Sequence, residues 1–215
     1  MLFNAKDRIL FIGDSIGDYG RARPVGDRVN GWGTSYVSIV GQLLQATYPE
    51  KLFRILNVST SGNQSRDLAA RWNEDVLNQN PDWVSILIGI NDVWRMFDTP
   101  DCPEKAYAIA DYEKTMEELI TSTLPHVKGM ILMTPYFMEQ NKADKMRMTM
   151  DAYGEVVKKL GKKYGILTID LQKEWDDFFA KGIHPHAVSW DCIHPGDMGR
   201  MVIARAFLKG VGYEW

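Results

Sequence analysis

Short apolar runs alternate with longer amphipathic segments along the whole of this chain. Residues 8–12, 53–59, 83–89, 130–135 and 165–171 are compact and mostly rich in Ile, Val or Leu, the pattern of strands buried on both faces. Between them, residues 33–48, 66–79, 106–123, 143–164 and 196–209 carry helical patterns; in the second, Leu68, Trp72, Val76 and Leu77 show helical spacing. Such alternation predicts an α/β fold, a parallel sheet covered on both faces and joined by right-handed crossovers. Five strands suit a three-layer sandwich with a flavodoxin-like, doubly wound sheet, in which sites form beyond the carboxyl ends of the strands. Gly13-Asp14-Ser15 closes the first apolar run, Ser61-Gly62-Asn63 follows the second, and Gly89-Ile90-Asn91-Asp92 ends the third. All three polar clusters are therefore expected on one edge of the sheet. After them, Pro100 and Pro103 punctuate a stretch expected to be irregular. No Pro/Gly/Ser-rich linker or repeat divides the chain, so residues 1–215 are expected to form one domain.

Composition narrows the function classes. The formal net charge is −3 and the lysines and arginines are scattered, which leaves no electrostatic footprint for nucleic acid. Lys158-Lys159 and Lys162-Lys163 read as the solvated face of a helix. The two cysteines, Cys102 and Cys192, make neither a disulfide framework nor a metal-type spacing. No segment approaches the length of a membrane span, and the apolar run ending at Ile12 is too short for a signal-peptide core. The expected location is the cytoplasm.

Hydrolysing an ester through a serine requires an activated hydroxyl, a base, an acid that orients the base, and donors for the oxyanion. Ser15 follows a strand and two tight-turn residues, where its hydroxyl can project from the sheet edge. Asp191-Cys192-Ile193-His194 puts a carboxylate and an imidazole three residues apart, so Asp191 can hold Nδ1–H of His194 while Nε2 faces Ser15. The candidate oxyanion donors are the backbone N–H groups of Ser15 and Gly62 and the side-chain amide of Asn91.

These blocks, in this order, resemble the SGNH (GDSL) hydrolase family: Gly13-Asp14-Ser15, the glycine of Ser61-Gly62-Asn63, Gly89-Ile90-Asn91-Asp92, and Asp191-x-x-His194-Pro195. The resemblance implies a nucleophile at Ser15, an oxyanion hole from Ser15, Gly62 and Asn91, and a triad completed by Asp191 and His194, with no cofactor and no metal. Within the family the chain resembles intracellular bacterial acetylxylan esterases, through Gly20-Arg21-Ala22-Arg23-Pro24, Pro81-Asp82-Trp83-Val84-Ser85, Val93-Trp94-Arg95 and Ala204-Arg205-Ala206-Phe207-Leu208. That likeness implies hydrolysis of O-acetyl esters on short xylo-oligosaccharides. A lysophospholipase, a thioesterase or a general short-chain esterase would use the same triad. One departure is visible: many members carry Gly-His after His-Pro, whereas Gly199 here precedes Arg200.

Other constellations compete for the same residues. Gly13-Asp14-Ser15-Ile16-Gly17 fits the nucleophile elbow of the α/β-hydrolase fold, but that elbow comes after several strands and its acid and histidine lie on separate loops. Reading His184, His186, Asp191 and His194 as a metal cluster leaves the Gly-Asp-Ser and Gly-x-Asn-Asp blocks unexplained. A flavin- or nucleotide-binding module would need a glycine-rich phosphate cradle that the first loop lacks. Trp94 and Trp190 are expected to flank the pocket, with Trp32 a further candidate, whereas Trp72, Trp83 and Trp175 read as core. Arg95, Arg21 and Arg23 either bind substrate hydroxyls or form ion pairs. Tyr213 and Trp215 end the chain as a tail that docks on its own domain or on another copy, so a homo-oligomer is expected.

Overall fold

A computed structural model describes residues 1–215 and contains one sheet of five strands: β1 (Arg8–Gly13), β2 (Arg54–Asn57), β3 (Trp83–Leu87), β4 (Gly129–Met133) and β5 (Leu167–Ile169). The order is β2-β1-β3-β4-β5 and every pairing is parallel, with Leu10 opposite Leu56 on one side and Val84 on the other. Eight α-helices accompany it: α1 (Ser15–Asp18), α2 (Tyr36–Thr47), α3 (Ser65–Asp75), α4 (Ile90–Asp98), α5 (Ile109–Thr123), α6 (Lys145–Tyr164), α7 (Leu171–Phe179) and α8 (Asp197–Gly210).

The layers follow from the crossover rule. The side of the sheet on which strands are added reverses after β2, and right-handed crossovers running in opposite lateral directions must lie on opposite faces. Accordingly α2 packs beside α8, and α8 beside α7, on one face, while α3, α5 and α6 succeed one another on the other. With both faces covered, every residue of β3 is buried, and Ile9, Leu10, Phe11 and Ile12 of β1 have no exposed surface. The expected three-layer, doubly wound sandwich is the observed fold. No helix is long and apolar enough to cross a membrane.

Four of the strands, β2 to β5, are shorter than their apolar runs, and three helices lie where no helical segment is expected. Runs 53–59 and 165–171 keep only Arg54–Asn57 and Leu167–Ile169 as strand, because pairing stops where the chain turns off the sheet edge although burial continues. The run ending at residue 89 leads directly into α4, which begins after Gly89 at a φ of 132°. Asn91 and Asp92 are thus helical residues, and the irregular stretch begins only after Asp98.

The reversal of strand order lies between β1 and β3, and the loops leaving β1, β2 and β3 meet at that carboxyl edge. Arg71 of α3 ties the end of β1 to the loop after β2 by donating to the carbonyls of Val58 and Gly13 and to Asn63 Oδ1 at 2.8, 3.4 and 2.8 Å.

Candidate active site

Ser15 is the first residue of α1, so its backbone N–H has no intrahelical acceptor. Asp14 caps this turn, its Oδ1 accepting from the Ile16 N–H at 2.9 Å. The Ser15 hydroxyl lies 2.8 Å from His194 Nε2, and His194 Nδ1 lies 2.5 Å from Asp191 Oδ2. The other carboxylate oxygen of Asp191 accepts from Ser189 Oγ and from the backbone N–H groups of Ile193 and His194, at 2.9, 3.0 and 2.8 Å. Burial pushes the Asp191 carboxyl up. The bonds from the His194 ring, the two peptide N–H groups and Ser189 outweigh that effect and hold it below the ordinary carboxylate range. An ionised Asp191 is therefore available to stabilise an imidazolium at His194.

The candidate oxyanion donors flank the serine. Gly62 has a φ of 82°, with nothing within 4 Å of where a Cβ would stand; the left-handed backbone explains the glycine. Asn91, on the first turn of α4, donates one Nδ2 hydrogen to the Asn63 carbonyl at 2.9 Å, and its Oδ1 lies 3.4 Å from Arg95 Nη2. An amide held at both ends leaves its second N–H free and fixed in direction. Asp92, buried behind it, accepts from the Ser65 hydroxyl at 2.6 Å and the Ser65 N–H at 3.0 Å, joining α4 to the start of α3.

Around this centre the tryptophans divide. Trp94 stands edge-on to the His194 ring, with centroids 6.0 Å apart, and Arg95 stacks on Trp94 at 4.7 Å. Trp190 is 80% exposed and lines a shallow cavity of about 340 Å³ with Tyr19, His186, His194, Pro195 and Arg200. Trp32 does not join them. It is buried, with its indole N–H donating to the Ile55 carbonyl at 3.0 Å, because the loop before α2 folds it into the core. Trp72, Trp83 and Trp175 are core residues, as expected.

Arg21 and Arg23 take structural partners. Arg21 is buried and donates to the Ser59 carbonyl at 2.6 Å and the Ala22 carbonyl at 3.0 Å. Arg23 pairs with Asp18 at 2.6 Å, and Asp18 in turn accepts from the N–H and hydroxyl of Ser61. Arg95 also pairs with Asp98. Arg200, the departure from the family pattern, stacks over Tyr19 at 3.9 Å and donates to the carbonyls of Pro195 and Thr34, both at 3.1 Å. Tyr19 donates to the same Pro195 carbonyl at 2.9 Å. The rings of His184 and His186 stack on each other, and no group of three or more His, Cys, Asp or Glu residues is placed to hold a metal ion.

Sequence reasoning brought out the serine, aspartate and histidine but not the groups that hold them. Ser189 and Arg71 escaped notice. The signal for Arg71 was its place three residues after the buried Leu68, which turns a guanidinium towards the sheet edge.

Fold and site together define an acyl hydrolase of the serine type, and the chain belongs to the GDSL-like Lipase/Acylhydrolase family, whose model matches residues 11–201. It is 50% identical to an acetylxylan esterase of Geobacillus stearothermophilus over 216 residues, spanning 100% of this chain and 98% of the relative. The crystal structure of an acetylxylan esterase from that organism superposes with a TM-score of 0.98 at 50% identity, covering 100% of this chain and 98% of the other. Catalytic mutants of that enzyme, with a serine, a histidine or an aspartate replaced by alanine, have also been solved. An alpha/beta hydrolase enzyme from the metagenome of Lake Arreo, Spain, is similar at 44% identity and a TM-score of 0.96, covering 99% and 98% of the two chains.

Proposed function

We propose that residues 1–215 form one catalytic domain, a serine carbohydrate esterase that removes O-acetyl groups from short xylo-oligosaccharides. The observation that carries this reading is the unbroken relay from Ser15 Oγ through His194 to Asp191. His194 takes the proton as Ser15 attacks the ester carbonyl, and Asp191 stabilises the imidazolium. The N–H groups of Ser15 and Gly62 and the Asn91 amide receive the oxyanion. His194 then protonates the departing sugar oxygen, leaving an acetyl group esterified to Ser15 Oγ; a water activated by the same imidazole attacks that ester, releases acetate and returns the proton to Ser15. Every proton is returned within the cycle, so the chemistry calls for no cofactor.

The substrate class rests on the relatives' activity and on the edge of Trp94 beside His194, a wall suited to a small acyl group. A lysophospholipase or thioesterase would need room for a long chain, and no observation here favours one. The exposed Trp190 and its cavity offer a stacking surface for a sugar ring, with Arg95 a weaker candidate because Asp98 and Asn91 already engage it. Two free cysteines fit a reducing compartment, which supports the cytoplasm as the location. The exposed Trp215 at the end of the tail supports a homo-oligomer, to be tested by sedimentation.

Ser15→Ala tests the reading. The side chain is small and sits at a turn, so the fold should survive while kcat falls by roughly 10⁴ or more. Near-normal hydrolysis in a clean, folded preparation would end the assignment.

A further inference from the structure

Cys192, between Asp191 and His194, has a φ of 60°, a left-handed conformation that a non-glycine residue keeps only when its surroundings hold it there. This turn lets a carboxylate and an imidazole three positions apart meet. The buried Met138 donates its N–H to the Cys192 carbonyl at 2.9 Å, and the buried Tyr136 hydroxyl donates to the Ile193 carbonyl at 3.2 Å. Both belong to the strip of chain that follows β4.

Side chains from two helices grip that strip by its peptide groups. Gln172 of α7 accepts from the Phe137 N–H at 2.9 Å and donates to the Phe137 carbonyl at 3.1 Å. Arg147 of α6, 2% exposed, donates to the Glu139 carbonyl at 2.6 Å, its charge balanced by Asp151 and Asp176, each at 2.8 Å. The path from helix to strip to catalytic loop is therefore continuous in hydrogen bonds.

We propose that Tyr136 and Gln172 are positioning residues for ester hydrolysis: they hold the strip that sets the Cys192 turn and so the alignment of Asp191 with His194. Neither hydrogen-bonds to Ser15, Asp191 or His194; their partners are the Ile193 carbonyl, the Phe137 peptide groups and Asp176. The inference rests on the roles given above to Ser15, Asp191 and His194. Loosening the turn leaves the substrate surface alone but misplaces the base, so kcat falls while KM stays. A weaker Asp191 contact also stabilises the imidazolium less, which moves the acid limb of the kcat/KM profile to lower pH.

Tyr136→Phe removes one hydroxyl and keeps the ring that packs against Trp175; Gln172→Met keeps side-chain length without the polar atoms. For both, kcat on an acetyl ester should fall about tenfold, because small displacements of a catalytic group are costly. KM should stay within about twofold, and labelling of Ser15 by a fluorophosphonate should slow in parallel. A lower urea midpoint with kcat and the acid limb unchanged would overturn the proposal by showing a purely structural role. Should Gln172→Met fail to fold, Tyr136→Phe decides alone. With Ser15→Ala inactive and Tyr136→Phe fully active, only this inference fails; an active Ser15→Ala removes the triad reading itself.

Discussion

Asn91 separates chemistry from architecture more sharply than any other residue of the site. One of its amide hydrogens is committed to the Asn63 carbonyl, and the other is available to a developing oxyanion. Asn91→Ala should lower kcat by about 10²–10³ with a smaller effect on KM, since the bond strengthens only as charge builds on the carbonyl oxygen. A change in the urea midpoint with kcat intact would mark it as an architectural residue. Asp14 makes a different prediction. Its Oδ2 is buried without a partner, and burial, opposed by the Ile16 N–H and reinforced by Asp92, raises its pKa to about 7. A folded-state pKa above the unfolded value means that the native state holds the proton longer, so stability is lost as pH rises from about 4 to 7. The urea midpoint of Asp14→Asn relative to the parent should therefore improve between pH 5 and pH 8; a constant difference would show that Asp14 does not titrate this way. The role of Ser15 was legible because three residue types needed for one reaction stood at meaningful spacings. The environment of Asp14 was not, since burial of a turn carboxylate depends on what packs over it.

At the level of elements, apolar runs located all five strands but lengthened several, because buried chain beyond the sheet edge is as hydrophobic as the strand itself. In sequence, Gly89-Ile90-Asn91-Asp92 looks like a turn that ends a strand and opens an irregular stretch; only the φ of 132° at Gly89 shows how the chain changes direction within one residue and enters α4. The pattern hides helix α7 because its first residue, Leu171, closes the apolar run of β5; Asp170, which caps the helix by accepting from the Lys173 N–H at 3.0 Å, is the one break between strand and helix. Such caps are where single side chains control whole elements. Asp144 accepts from the Arg147 N–H at 2.9 Å at the start of α6, so Asp144→Ala should lower the unfolding free energy by about 1 kcal/mol. Urea denaturation measures this, and an unchanged midpoint would mean that tertiary packing alone sets that end.

Over the whole molecule, the reversal of strand order at β1 and β3 gathers loops distant in sequence, and the segment 189–194 reaches the same edge after β5. The tail docks on its own fold, with Tyr213 within 2.5 Å of Thr47 Oγ1, and leaves Trp215 68% exposed. The expectation had allowed either that arrangement or docking on another copy, because aromatic content alone does not select the surface. With Trp94 edge-on to His194, kcat/KM should favour acetyl over octanoyl esters of one alcohol; a preference for octanoyl would point to a longer acyl site than this wall permits.

The proposed nucleophile Ser15 and the proposed xylo-oligosaccharide substrate can be tested together. The most direct test is acetate release from acetylated xylobiose and xylotriose by the parent protein and by Ser15→Ala, measured beside acetylated glucose and a lysophospholipid. Release from the xylo-oligosaccharides should have the highest kcat/KM of the panel and be abolished in Ser15→Ala. Faster turnover of the lysophospholipid, or undiminished acetate release by the alanine variant, would contradict these assignments.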